Sequence, residues 1–388
     1  MNPSLDLILI VIFSLVQLRI TIMLVDLARR LPSGWGRRAA WAVIGVFDLT
    51  VAVGYSFSFS AVLPHFRVRP DIATVMGAVT LAYLACASVL VAVHWATQTV
   101  ERRVGPSWNP GRRRALQTAG KVLMAAPFAA IGYGGLVQRT DFQVRQTDIP
   151  VEGLPADLDG FEILHLSDIH LSPFLSEAEL ARVIDACREL HPKLAVVTGD
   201  LISSYGDPLE ACIRQLARLR SDAGIYGCLG NHEHVAMAED RAAAAGARAG
   251  IHFLRGANAQ LRFGAATLNV AGVDYQPVSH RDRYLRGAGR LVQPAAFNLM
   301  LSHNPDVFPV AVRQGYNLML AGHTHGGQVT MEIFEQTLNP ARFFTPYVCG
   351  LYRSGGAAAY VTPGIGTIGV PARLGVPPEI SLLRLRKA

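Results

Sequence analysis

The stretch FEILHLSDIH (residues 161–170) carries alternating apolar side chains into Asp168-Ile169-His170, and KLAVVTGD (193–200) runs apolar into Gly199-Asp200. Short runs of this kind, bounded by glycine and aspartate, read as buried strands that stop where a polar group begins. Three more follow the same plan. IYGCL (225–229) precedes Gly230-Asn231-His232-Glu233, FNLMLS (297–302) precedes His303, and YNLML (316–320) precedes Gly322-His323-Thr324-His325. In an α/β sheet, functional groups gather at the carboxyl ends of strands, so five clusters far apart in sequence can meet on one rim. The flanking glycines Gly199, Gly230, Gly322, Gly326 and Gly327 let the chain turn sharply and approach a metal or phosphate.

The clusters supply carboxylates, an amide carbonyl and imidazoles, and no thiolate. That donor set suits two divalent ions such as Mn, Fe or Zn, not a cysteine-rich structural zinc site. The five cysteines, Cys86, Cys187, Cys212, Cys228 and Cys349, are dispersed and form neither a zinc pattern nor a disulfide framework. His165, offset by one residue from Leu164 and Leu166, reads as an interior side chain without a role.

The ordered set of Asp168/His170, Gly199-Asp200, Gly230-Asn231-His232-Glu233, His303 and Gly322-His323-Thr324-His325 closely resembles the signature of the calcineurin-like metallophosphoesterase family over about residues 160–386. The resemblance implies an α/β fold, a four-layer αββα sandwich with a dinuclear centre at the sheet rim. Carried over residue by residue, it assigns the first metal to Asp168, His170, Asp200 and His325. The second falls to Asp200, Asn231, His303 and His323, so that Asp200 bridges. A metal-bridging hydroxide would be the nucleophile. His232 would face the substrate as the catalytic group on the leaving side, while Glu233 either orients His232 or lies in solvent. Asp274 and Gln328 are weaker candidates for substrate contact, equally readable as turn residues.

Between these strands, Glu177–Leu190 has helical spacing behind a good N-cap, Ser176, and Leu209–Leu219 and Ala236–Ala249 also read as helices. Short β-type runs near Ile251–Leu254, Ala266–Val273, Ala358–Thr362 and Ile380–Leu385 would complete two facing sheets.

Residues 7–27, 41–63, 72–95 and 122–138 are predominantly apolar, and about 20 such residues cross a bilayer as a helix. The expected organisation is a transmembrane domain over 1–138 with about four helices, a polar tether over 139–159 and the metallophosphoesterase domain over 160–388. Arg29, Arg30, Arg37 and Arg38 follow the first span, and Arg102, Arg103, Arg112, Arg113, Arg114 and Lys121 follow the third. Only Arg67 and Arg69 lie between spans two and three. Basic loops stay cytoplasmic, which places the second half on the extracytoplasmic side of the cell (inner) membrane. Arg19 and Asp48 fall within the first two spans, where an unpaired charge is costly, and are expected to pair with each other and join two helices, in preference to forming a lipid-headgroup or ion pathway.

The net charge of +7 comes largely from these membrane-flanking loops, and no nucleic-acid motif accompanies it, so membrane lipids are the expected partner of the basic residues and nucleic acid is not. The leading reading is a membrane-anchored, two-metal phosphohydrolase acting on a phosphorylated small-molecule or lipid substrate. Two alternatives stand beside it: a UDP-diacylglucosamine pyrophosphatase-like lipid enzyme facing the cytoplasm, and a non-catalytic metal-binding membrane module.

Overall fold

The computed structural model describes residues 3–32, 34–58, 70–104, 109–333 and 336–388. It divides into two compact units, Met1–Tyr133 with Gly369–Pro371, and Gly134–Ile368 with Ala372–Ala388.

The first unit is helical: α1 (Pro3–Arg29), α2 (Trp35–Phe57), α3 (Pro70–Val104) and most of α4 (Pro110–Leu136). All four helices are long and apolar enough to cross a membrane. Expected residues 59–63 of the second span, and Arg67 and Arg69, lie outside the described residues. The fourth helix starts well before the apolar stretch, because the basic residues at 112–114 are as compatible with helix as the apolar run behind them. Close helix approach needs small residues: a Cβ on Gly54 would lie 2.1 Å from the Thr80 hydroxyl, and one on Gly77 3.1 Å from the Phe57 backbone.

Arg19 and Asp48 do not pair. The Asp48 carboxylate accepts hydrogen bonds from Gln17 Nε2 (2.7 Å) and Thr21 Oγ1 (2.8 Å), and the Tyr83 hydroxyl donates to Gln17 Oε1 (3.0 Å). Helical geometry gives the reason: Gln17 and Thr21 are four residues apart and share a face, whereas Arg19 between them points away and is exposed.

The second unit opens with β1 (Gln143–Val151), β2 (Glu162–Leu166), α5 (Glu177–Arg188), β3 (Leu194–Thr198) and α6 (Leu209–Leu216). It continues through β4 (Ile225–Cys228), α7 (Asn231–Val235), α8 (Glu239–Arg248), β5 (Ile251–Phe253), β6 (Ala257–Phe263) and β7 (Ala266–Gly272). Then come β8 (Phe297–Leu301), α9 (Phe308–Gln314), β9 (Leu318–Ala321), β10 (Met331–Ile333), β11 (Gln336–Leu338), β12 (Gly350–Ser354), β13 (Ala357–Val361) and β14 (Glu379–Lys387). One sheet has the order β1-β14-β2-β3-β4-β5, the other β12-β13-β9-β8-β7-β6.

Strand alternation sorts the core into layers. Ile163, Leu194, Val196, Leu268, Leu299 and Leu318 pack between the two sheets. Leu164, Ala195 and Val197 point the other way, onto Leu180, Ile184, Cys212 and Leu216 of α5 and α6. On the outer face of the second sheet, Met300 and Met319 meet Phe308 and Ala311 of α9. The result is the expected four-layer arrangement of helices, two sheets and helices. Within each sheet the strands that precede the candidate ligands run parallel, β2-β3-β4 and β8-β9, so their carboxyl ends share an edge. Helix α5 carries the expected Ser176 cap, closed as a capping box with Glu179.

Residues 139–159 are not a free tether. Gln143–Val151 forms nine parallel pairs with Glu379–Lys387 as an edge strand of the first sheet. Its outward positions are exposed, which is why its sequence is polar, and Pro150 is tolerated because an edge strand has one unpaired side.

Candidate metal centre

Three of the five strand ends, after β2, β3 and β9, deliver their side chains through strained turns. Asp168 (φ 51°), His170 (φ 50°), Asp200 (φ 53°), His323 (φ 75°) and His325 (φ 51°) are all left-handed. Such backbone costs about 1–3 kcal/mol per residue and persists only where neighbours over-determine it. Here the turns hold one another. Asp168 N–H donates to the Gly199 carbonyl and His170 N–H to the Asp200 carbonyl. The Asp168 carboxylate accepts the His323 N–H at 3.0 Å, and Asp200 Oδ1 accepts the His232 N–H at 2.9 Å. These approaches require glycine: a Cβ on Gly230 would lie 2.1 Å from Asp200 Oδ1, and one on Gly322 2.1 Å from Asp168 Oδ2.

Six of the seven expected ligands, together with His232 and without Asn231, fall into three overlapping groups: Asp168, His170 and His325; His170, Asp200 and His232; and Asp200, His303 and His323. His303 Nε2 is 3.0 Å and His170 Nε2 3.5 Å from Asp200 Oδ2, and His325 Nε2 is 3.4 Å from Asp168 Oδ1. His323 Nδ1 is 3.2 Å from His303 Nε2. His170 Nε2 and Asn231 Oδ1 are buried without a hydrogen-bond partner. An orphaned His170 Nε2 beside the Asp200 carboxylate and an orphaned Asn231 Oδ1, with no thiolate among the clustered donors, fit divalent cations.

The imidazoles are fixed by their other nitrogen, as ligand histidines usually are. A carbonyl can only accept, so His303 Nδ1–H donates to the Thr198 carbonyl (2.7 Å) and His232 Nδ1–H to the Ser203 carbonyl (2.5 Å). His170 Nδ1 meets the Ser203 hydroxyl at 3.1 Å, leaving Nε2 for the site. Ser203 and Thr198 therefore orient three imidazoles, a role with no sequence signal beyond lying on either side of Asp200, at the end of β3 and just after it. Tyr275 is a further residue missed, its ring 5.6 Å from that of His323 and 6.2 Å from that of His303.

Glu233 neither orients His232 nor lies in solvent. It is fully buried, and its carboxylate accepts the N–H groups of Asp200 (2.9 Å), Leu201 (2.7 Å), Ile202 (3.4 Å) and Gly230 (2.8 Å). It thus ties the start of α7 to the Asp200 turn. Burial, then Asp200, pushes its carboxyl up, against the pull of these N–H groups. The weaker candidates serve structure: Asp274 pairs with Arg255, and Gln328 exchanges hydrogen bonds with the backbone of Ile368. His165 is interior, with Nε2 at 2.8 Å from the Thr198 hydroxyl.

The cluster's electrostatics are lopsided. Burial lowers His170 and His323 to about 3 and His325 well below its ordinary value, so these stay neutral and free to donate lone pairs. Burial would lower His303 too, but the Asp200 carboxylate overrides it, with Asp168 and the Thr198 carbonyl, and pushes the imidazole up to about 10. Asp200 correspondingly stays ionised, its own burial outweighed by His303, His232 and His170. Burial, reinforced by Asp200, raises Asp168 to about 6 against the pull of His303.

Residues 161–327 match the family model of the calcineurin-like phosphoesterases and belong to that family. It is 31% identical over 287 residues to a transmembrane protein with metallophosphoesterase domain from Danio rerio, covering 70% of this chain and 63% of that one. A metallophosphoesterase of Bacillus subtilis, YkuE, is 27% identical over 272 residues, covering 69% and 94%. The phosphodiesterase YaeI of Escherichia coli is 29% identical over 232 residues, covering 58% and 82%. The chain spans 63% and 66% of the length of the Danio rerio relative and its Bos taurus counterpart.

The metal-free centre keeps a proton on His303 below pH of about 10, so a cation entering there must displace it, and raising the pH helps. Manganese affinity should rise about tenfold per pH unit between about pH 6 and 8 for each proton displaced. Calorimetry in buffers of different ionisation enthalpy should detect at least about one proton released; no release and a flat affinity would contradict this protonation pattern.

Proposed function

We propose that this member of the calcineurin-like phosphoesterases is a membrane-anchored phosphohydrolase that cleaves phosphoester or pyrophosphate bonds with two divalent cations, acting on phosphorylated small molecules or lipids. What supports the reading is convergence: Asp168, His170, Asp200, His232, His303, His323 and His325, from five strand ends, fall into three overlapping groups, two of them sharing the buried Asp200 carboxylate, and ligand-type atoms of His170 and Asn231 are left unpartnered. The first cation would be held by Asp168, His170, Asp200 and His325, and the second by Asp200, Asn231, His303 and His323, with Asp200 shared. Cations so held supply Lewis acidity, neutralising phosphoryl oxygens and lowering the pKa of water.

The chain's own contribution lies in placement and proton transfer. His232 is half-buried at the edge of the cluster, its ring 4.8 Å from that of His170. With Nδ1 committed to the Ser203 carbonyl, Nε2 is the atom that can carry a proton to a departing alkoxide. General acid catalysis of this kind is worth about 10²–10⁴-fold. The catalytic pair is therefore His232 for the leaving side and Asp200 for holding the centre together. Substitution Asp200→Asn should abolish turnover of an aryl phosphodiester with manganese and lower bound metal together. His232→Ala should keep the metal and lose about 10²–10⁴-fold in kcat. Turnover by Asp200→Asn, or full activity in His232→Ala, would contradict these roles.

Four crossings with the basic loops after the first and third helices in the cytoplasm put the second unit outside it, at the cell (inner) membrane. Protease added to intact spheroplasts should then digest the second unit; full protection until lysis would place it on the cytoplasmic face instead.

A further inference from the structure

The segment 362–378 between β13 and β14 has no regular hydrogen-bonded element except an isolated pairing, yet it is pressed against the Asp168–His170 turn. Ile365 N–H donates to the Ser167 carbonyl (3.1 Å) and Gly366 N–H to the Asp168 carbonyl (2.6 Å). A Cβ on Gly364 would lie 2.5 Å from Asp168 Cβ, and one on Gly366 would lie 2.1 Å from the Ile169 carbonyl oxygen and 2.9 Å from His170 Cβ. The backbone of this segment thus forms the floor under Asp168 and His170.

Arg373 holds that floor from behind. Its side chain is fully buried, and it has no carboxylate at ion-pair distance among the described residues. It donates to carbonyl oxygens: Nε and Nη2 to Gly366 (3.1 and 2.6 Å), Nη2 also to Pro363 (2.8 Å) and Gly364 (3.1 Å), and Nη1 to Val376 (3.4 Å). A buried guanidinium satisfied only by backbone is costly, and its planar fork is what allows these carbonyls to be gathered at once. The second half of the centre is built otherwise: His303 rests on the Thr198 carbonyl, and Asn231 starts a helix tied by Glu233.

We propose that Arg373 is a positioning residue for the first cation: by clamping the 363–366 backbone beneath the Asp168–His170 turn it sets the geometry of Asp168 and His170, while the Asn231–His303 side stands without it. The proposal rests on the two-cation reading above. Lysine keeps the charge but has no planar fork with which to gather the Pro363, Gly366 and Val376 carbonyls together, so Arg373→Lys separates clamp from charge.

The experiment is manganese titration of the full-length protein in detergent, by calorimetry with elemental analysis, on wild type and Arg373→Lys. Wild type should bind two ions; if it does not, the two-cation reading fails before the proposal is reached. Arg373→Lys should bind one ion as wild type does and the other about 10–100-fold more weakly. Two unchanged affinities, or two equally weakened ones, would overturn the proposal. Should the lysine variant not fold, Gly366→Ala leaves Arg373 in place and lifts the floor through its clash with Ile169; it should produce the same one-sided loss, and a loss equal on both sides would again overturn it.

Discussion

The architecture of the second unit answers to one demand, keeping the Asp200 carboxylate fully buried between imidazoles contributed by both sheets. Asp200 and His170 come from the first sheet, His303 and His323 from the second, so the site exists only while the two sheets keep their register. That register is set by the inter-sheet layer of Ile163, Val196, Leu299, Leu318 and their neighbours, all close to fully buried. A core packed this tightly resists sliding, because displacing a side chain opens voids or forces clashes. A buried carboxylate is expensive unless paired, so the same centre that could hold cations also pulls His303 into a charged state in their absence.

The ligand turns show how local strain is maintained. Five left-handed non-glycine residues in one site would not survive in isolated loops. Asp168, His170, Asp200 and His323 are each held by a hydrogen bond to another of these turns, and Glu233 gathers four N–H groups of two turns onto one carboxylate. Charge-assisted bonds of this kind are stronger than neutral ones, and leaving those N–H groups buried without an acceptor would cost about 1–3 kcal/mol each. The positions of the candidate metal-binding atoms are therefore a collective property of the turns.

Much of this was legible in the sequence because each ligand follows a strand with an unmistakable apolar pattern, and strand ends are where parallel sheets present their chemistry. Strands β2, β3, β4, β8 and β9, and the residues Asp168 to His325 that follow them, could be found in that way. What escaped reading had no periodic signal. The edge strand Gln143–Val151 is polar because most of its side chains are exposed, so it looked like a tether. Ser203 and Thr198 act through a carbonyl or a single hydroxyl, and any residue has a carbonyl. Glu233 was visible as part of a motif, but its direction depends on which N–H groups the next turn presents. The Arg19–Asp48 pairing failed because proximity in depth along two helices does not fix which face each residue occupies.

Anomalous scattering from crystals grown with manganese tests the central claim most directly. Two peaks about 3.5–4 Å apart, one on either side of the Asp200 carboxylate, are what a shared acid between two cations requires. A single peak, or density that leaves Asp200 outside both coordination spheres, would contradict it.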